Sequence, residues 1–99
     1  MRIEFGDDDL RRLYEDENFH HPRLGADLVR QYRKKVNFLY SASDLRDVAN
    51  YRALRFEKLQ GDRDGQHSIR LNEQWRLILL VSSDDEGQVL EVVEIMDYH

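Results

Sequence analysis

Two arginines, Arg70 and Arg76, stand among alternating apolar residues, and the chain closes on Asp97, Tyr98 and His99. Arginine carries a planar, always-charged fork that binds carboxylates and phosphates through paired donors. Histidine is the usual acid or base near neutral pH. Tyrosine can stack on a base or hold a phosphate with its hydroxyl. Such residues could act on a phosphodiester if the fold brought them together.

The flanking pattern says how they would be placed. Trp75, Leu77, Leu79 and Val81 alternate, so they share one face of a strand and Arg76 takes the other. Ile69 and Leu71 likewise leave Ser68, Arg70 and Asn72 opposite. If Asn72-Glu73-Gln74 forms a three-residue loop, Arg70 lies directly across from Arg76; a two-residue loop shifts the pairing by one. Like charges in such positions destabilise a sheet by a few tenths of a kcal/mol or more. Something negative should offset them: a carboxylate, with Glu57, Glu73 and Asp97 as candidates, or a phosphate. The pattern leaves both open.

The remaining elements follow from periodicity. Arg2 to Phe5 suit a short edge strand. Asp7 or Asp8 can cap a helix on which Leu10, Leu13 and Tyr14 recur. Pro22 breaks that helix, and Leu28, Tyr32, Val36 and Leu39 mark a second between Leu24 and Tyr40. Ser43 is one possible cap for a further helical turn. After Asn50 the period turns to alternation, with strands expected at about 54–60, 66–72, 75–82 and 88–96 joined by short polar turns. Two helices followed by an antiparallel meander make an α+β two-layer domain.

Ninety-nine residues fit one domain, 1–99. The chain has no cysteine, which removes disulfides and thiolate metal sites. His20 and His21 are adjacent, a spacing that rarely chelates one ion, and read as loop residues; His67 reads as an ordinary strand residue. No metal and no cofactor is expected. The longest apolar run, Leu77 to Val81, is far too short for a membrane span, and the N-terminus lacks an apolar signal region, so a cytoplasmic protein is expected. The net charge of −5 is unevenly spread. Residues 1–22 and 77–99 are acidic, whereas 23–76 hold twelve basic against seven acidic residues. A basic surface can therefore sit within an acidic chain.

The ordered set of Gly61-Asp62-Arg63, Ser68-Ile69-Arg70, Asn72 with Gln74-Trp75-Arg76, and a final Asp97-Tyr98-His99 resembles the HigB-type toxins of the RelE/ParE superfamily. The resemblance implies a microbial RelE-like fold, an antiparallel sheet of about four to five strands packed against two N-terminal helices. It implies an endonuclease that cuts messenger RNA at the ribosome, held inactive by a helix-turn-helix antitoxin, with DNA reached only through that antitoxin. By motif position, Arg70 and Arg76 would contact the scissile phosphate, with Asp97, Tyr98 and His99 completing the site. Glu57 and Gln60 stand where relatives place other polar residues, and Lys58 and Arg63 would contact RNA beside them. The chain departs from the usual pattern in its pI of about 5.3 and in Gln60, where many relatives have lysine.

The chemistry implied needs no metal, because RNA's own 2′-hydroxyl can attack the adjacent phosphate. A base, positive charge on the phosphorane oxygens and an acid for the leaving oxygen suffice. Glu57 suits the base and His99 the acid, or the reverse. Two other classes stay open at this level: a non-nuclease toxin that binds DNA gyrase, and an inactive domain that only binds its antitoxin. The basic positions Arg30, Arg33, Lys34 and Lys35 of the second helix are the first surface expected to meet an antitoxin.

Overall fold

The computed structural model describes residues 1–63 and 65–98. Strand β1 (Arg2–Phe5) leads through Asp7, whose carboxylate accepts from the Leu10 amide at 3.1 Å, into α1 (Asp8–Glu15). The long helix α2 (Ala26–Ser41) follows, then the short α3 (Leu45–Asn50). The cap of α3 is Asp44 rather than Ser43: its carboxylate accepts from the Arg46 and Asp47 amides, while the Ser43 amide donates to Asp47 at 2.8 Å. A carboxylate one residue nearer the helix reaches those amides, and the serine amide closes the turn from behind.

The sheet is mixed, with spatial order β1-β5-β4-β3-β2. Strands β2 (Glu57–Lys58), β3 (Gln66–Arg70), β4 (Trp75–Asp84) and β5 (Gly87–Asp97) form the expected antiparallel meander, and β1 adds parallel to β5. The strand expected at 54–60 is reduced to two residues. Arg52–Leu54 instead form a 3-10 turn, Arg55 takes a left-handed φ of 49°, and Gly61–Arg63 form a second 3-10 turn. Leu54, at the end of the first of these turns, is fully buried in the core.

One face of the sheet packs on α1 and α2. Ile3, Leu77, Leu79, Leu90, Val92 and Ile69 meet Leu10, Leu13, Val36 and Leu39 there. Tyr32 is buried in the same layer, and its hydroxyl donates to the Leu10 carbonyl at 2.7 Å. Burial pushes that phenol well above its ordinary pKa. The two arginines lie on the other face, which also holds the buried Ser68 and Ile78.

A break in register decides what joins them. Leu79 pairs with Val92, but Ile78 pairs with Glu94, so Val93 is an extra residue in β5. One extra residue reverses the alternation. Val92 and Ile95 can therefore both face the helices, and Met96 and Tyr98 fall on the opposite face. Among the described residues, no helix is long and apolar enough to cross a membrane.

Candidate functional site

The β3–β4 turn fixes the centre. The Leu71 amide donates to the Trp75 carbonyl at 3.0 Å, which leaves Asn72-Glu73-Gln74 as a three-residue loop. Its conformation is held by the Asn72 side-chain oxygen, which accepts from the Gln74 and Trp75 amides, both at 2.8 Å. Arg70 then lies directly across from Arg76, with Met96 next in the row.

Among the described residues, neither arginine forms an ion pair. Both turn instead to a shared acceptor, and Arg76 Nη1 also donates to the Trp75 carbonyl at 3.3 Å. The Asn72 carbonyl receives Nη1 of Arg76 at 2.9 Å and Nε of Arg70 at 3.3 Å. Two guanidinium groups thus converge beside a single neutral oxygen. Glu57 registers with Ser68 and is exposed, Glu73 is an exposed residue of the loop, and Asp97 registers with Trp75 on the other face. Among the described residues, Glu57 and Glu73 form no ion pair with either arginine.

Tyr98 completes the arrangement. Its ring lies under the Arg76 guanidinium, 4.7 Å from centroid to Cζ, and it is 47% exposed. Its amide donates to the Gln74 carbonyl at 2.7 Å, and Gln74 Nε2 donates to Asp97 at 3.1 Å. The chain leaving β5 is thereby stitched to the turn that sets the arginine pair. His99 lies outside the described residues.

Glu57 shares the face of Arg70, since its partner Ser68 stands two positions before Arg70 on β3. Diagonal neighbours of this kind lie roughly 7–8 Å apart. Lys58 registers with His67 and so belongs to the opposite face, while Gln60 is exposed in the loop that follows. Arg63 stands near the site but is held, donating to Glu94 at 2.8 Å and to Gln66 at 3.1 Å. Of the residues singled out from sequence, Arg70, Arg76 and Tyr98 are brought together, with Glu57 adjoining.

Several features had little or no signal in the sequence. The carbonyl of Asn72 is invisible to residue-type reasoning. The bulge shows only as the doublet Val92-Val93, where alternation fails. Ser68, 1% exposed at the centre of this region, has a hydroxyl with no hydrogen-bond partner among the described residues. His67 stacks flat on Phe56, with ring centroids 4.8 Å apart, and burial lowers its pKa. Among the described residues, no group of three or more His, Asp or Glu is placed to hold a metal ion.

A mixed five-stranded sheet packed against N-terminal helices is the RelE-like fold of this chain's structural neighbours. The fold resembles YafQ from E. coli strain BL21(DE3), with a TM-score of 0.62 at 12% identity over 98% of this chain and 93% of that one. It also resembles a YoeB/ParE toxin from Agrobacterium tumefaciens, with a TM-score of 0.54 at 23% identity over the whole of both chains. In sequence the chain is 35% identical over 78 residues to Toxin HigB-1 of Vibrio cholerae serotype O1, covering 79% of this chain and 81% of that protein. Residues 3–99 match the family described as the RelE-like toxin of type II toxin-antitoxin system HigB. The chain belongs to that family of HigB-like toxins.

Proposed function

We propose that this toxin is an endoribonuclease that cuts messenger RNA on the ribosome by attack of the 2′-hydroxyl on the adjacent phosphate. The observation that carries this reading is the pair Arg70–Arg76: two guanidinium groups, registered opposite each other, share one carbonyl and have no carboxylate partner among the described residues. Like charges so placed weaken a sheet, and a phosphate would offset them. In the transition state the phosphorane gains charge on its non-bridging oxygens, where a preorganised guanidinium pair acts with little rearrangement.

The Tyr98 ring, fixed over Arg76 and half exposed, offers a surface on which a nucleotide base can stack. Glu57, exposed and diagonal to Arg70, takes the proton of the 2′-hydroxyl in this reading. His99 supplies an imidazole for the leaving 5′-oxygen, and the two proton-transfer roles can exchange. No step requires a metal. A cognate antitoxin, expected for a toxin of a type II toxin–antitoxin system, would block this face or displace part of it.

The test is to add purified protein to translating ribosomes and map the ends of the message. New ends appearing inside the reading frame, and only with ribosomes present, support the reading. Translation arrest with intact message, or inhibition of DNA gyrase instead, would overturn it.

A further inference from the structure

Beside the arginine pair, over the free edge of β3, a cleft of about 640 Å³ opens between α2 and the β3–β4 turn. Strand β2 pairs with β3 only at Ser68 and His67, so among the described residues no strand pairs with Arg70 on that flank. Three cations from two elements surround the opening: Arg30 and Lys35 from α2, and Arg70 itself. The acids at its rim are Asp27, already paired with Arg30 at 2.9 Å, and Glu73 on the exposed loop. Lys35 donates to Gln31 at 3.1 Å and has no ion pair among the described residues.

The four basic positions of α2 are therefore not equivalent. Arg33 is spent on structure: its guanidinium donates to the Leu13 carbonyl at 2.7 Å and to the Asp16 carbonyl at 3.2 Å, capping the end of α1. Lys34 is exposed and lies outside the cleft. Arg30 and Lys35 turn toward the edge that Arg70 occupies. Burial, helped by Lys34 and Arg70, lowers the Lys35 pKa, as expected of an ammonium held near other cations.

We propose that this cleft is a second phosphodiester subsite, in which Lys35 and Arg30 hold an RNA backbone phosphate neighbouring the one on Arg70 and Arg76. The subsite rests on the nuclease reading, extending the path of the strand over the β3 edge onto α2. It is open and polar, as suits a solvated backbone. Its cations come from side chains long enough to follow a flexible strand.

The test uses Lys35→Gln with Arg30→Gln, both good helix formers, and the charge-keeping Lys35→Arg as a control for folding. Binding is measured across a salt series with two probes. One is a single-stranded RNA oligonucleotide carrying 2′-deoxy sugars, which cannot be cut; the other is vacant ribosomes. Loss of one phosphate contact should reduce the slope of log affinity against log salt by about 0.7 for a single strand. That reduction should appear in the double variant and be absent in Lys35→Arg. A change with the oligonucleotide assigns the phosphate to the message strand; a change with ribosomes alone assigns it to ribosomal RNA. Unchanged slopes with both probes overturn the subsite, as does weakened antitoxin binding without any change toward RNA. Failure of the parent to cut any message would instead overturn the nuclease reading, which the binding slopes do not depend on.

Discussion

At the hairpin end of β4 and β5, Arg2 donates to both Asp84 and Glu86, and those bonds raise its pKa and lower that of Asp84. At the other end of β4, Arg76 and its β3 neighbour Arg70 meet a shared carbonyl, and Arg76 a tyrosine ring. The residue type and the sheet are the same, and the chain as a whole is rich in acids. Carboxylates were available, and Arg63 took one in Glu94 close by. Among the described residues the arginine pair has only neutral partners, and in the proposed function a phosphate supplies the missing anion.

The largest effect expected from breaking this contrast is at Arg76. Arg76→Ala should lower message cleavage by roughly a hundredfold or more, the usual cost of removing one preorganised donor from a developing oxyanion. The thermal transition should stay near that of the parent, since the like-charge pair is relieved. Arg2→Ala, at the paired end, should leave cleavage unchanged. Mapping message ends at matched protein concentration compares the two. Equal losses would mean that neither arginine has a special role.

Converting one end into the other is the next test. Met96 lies directly across from Arg76, so Met96→Glu would give Arg76 a carboxylate of its own. Opposite charges in facing strand positions add roughly 0.2–1 kcal/mol. The melting temperature should hold or rise while cleavage falls at least several-fold. A gain in stability without loss of cleavage would separate Arg76 from the phosphate.

What the sequence made legible, and what it hid, divides along the same line. Alternation around Ile69 and Trp75 placed both arginines on one face, because a strand's period of two depends only on residue type. The pairing itself depended on loop length, and Asn72 settles that through its side-chain bonds to Gln74 and Trp75. The helices were readable from Leu10 and Leu13 and from Tyr32, Val36 and Leu39, all of them buried. The strand expected from residue 54 was not, because Leu54 is drawn into the core by a 3-10 turn that leaves no periodic trace. The parallel seat of β1 beside β5 is likewise a tertiary choice. Tyr98 reaches Arg76 only because Val93 is bulged, and a doublet of valines reads the same in a regular strand.

Smaller effects test the surroundings of the pair. Ser68 carries a buried hydroxyl without a partner among the described residues, and such a group costs about 1–3 kcal/mol. Ser68→Ala should therefore stabilise the fold by about 1 kcal/mol, roughly 4–8 °C in melting temperature for a domain of this size, with cleavage retained. A loss of stability would show that the hydroxyl has a partner in solution.

The smallest effect is that of pH on His67. Its pKa is lowered in the fold, mainly by burial, so the unfolded chain binds its proton first as pH falls. Stability linked to His67 is complete above the unfolded value near 6.5 and is lost as pH drops from there toward the folded pKa. Melting temperatures measured between pH 7.5 and 5 should decline, and His67→Phe, which keeps a flat ring on Phe56, should flatten that decline. An unchanged slope in that variant would assign the loss to other groups.

The most direct test of the central claim observes the guanidinium groups themselves. The Nε–H resonances of Arg2, Arg70 and Arg76 can be followed by NMR while a 2′-deoxy-substituted RNA oligonucleotide is added. Arg70 and Arg76 should shift together along one binding curve, and Arg2, held by Asp84 and Glu86, should stay in place. If Arg2 moves as much as the pair, or the pair does not respond while the oligonucleotide binds elsewhere, the arginine pair is not the phosphate site.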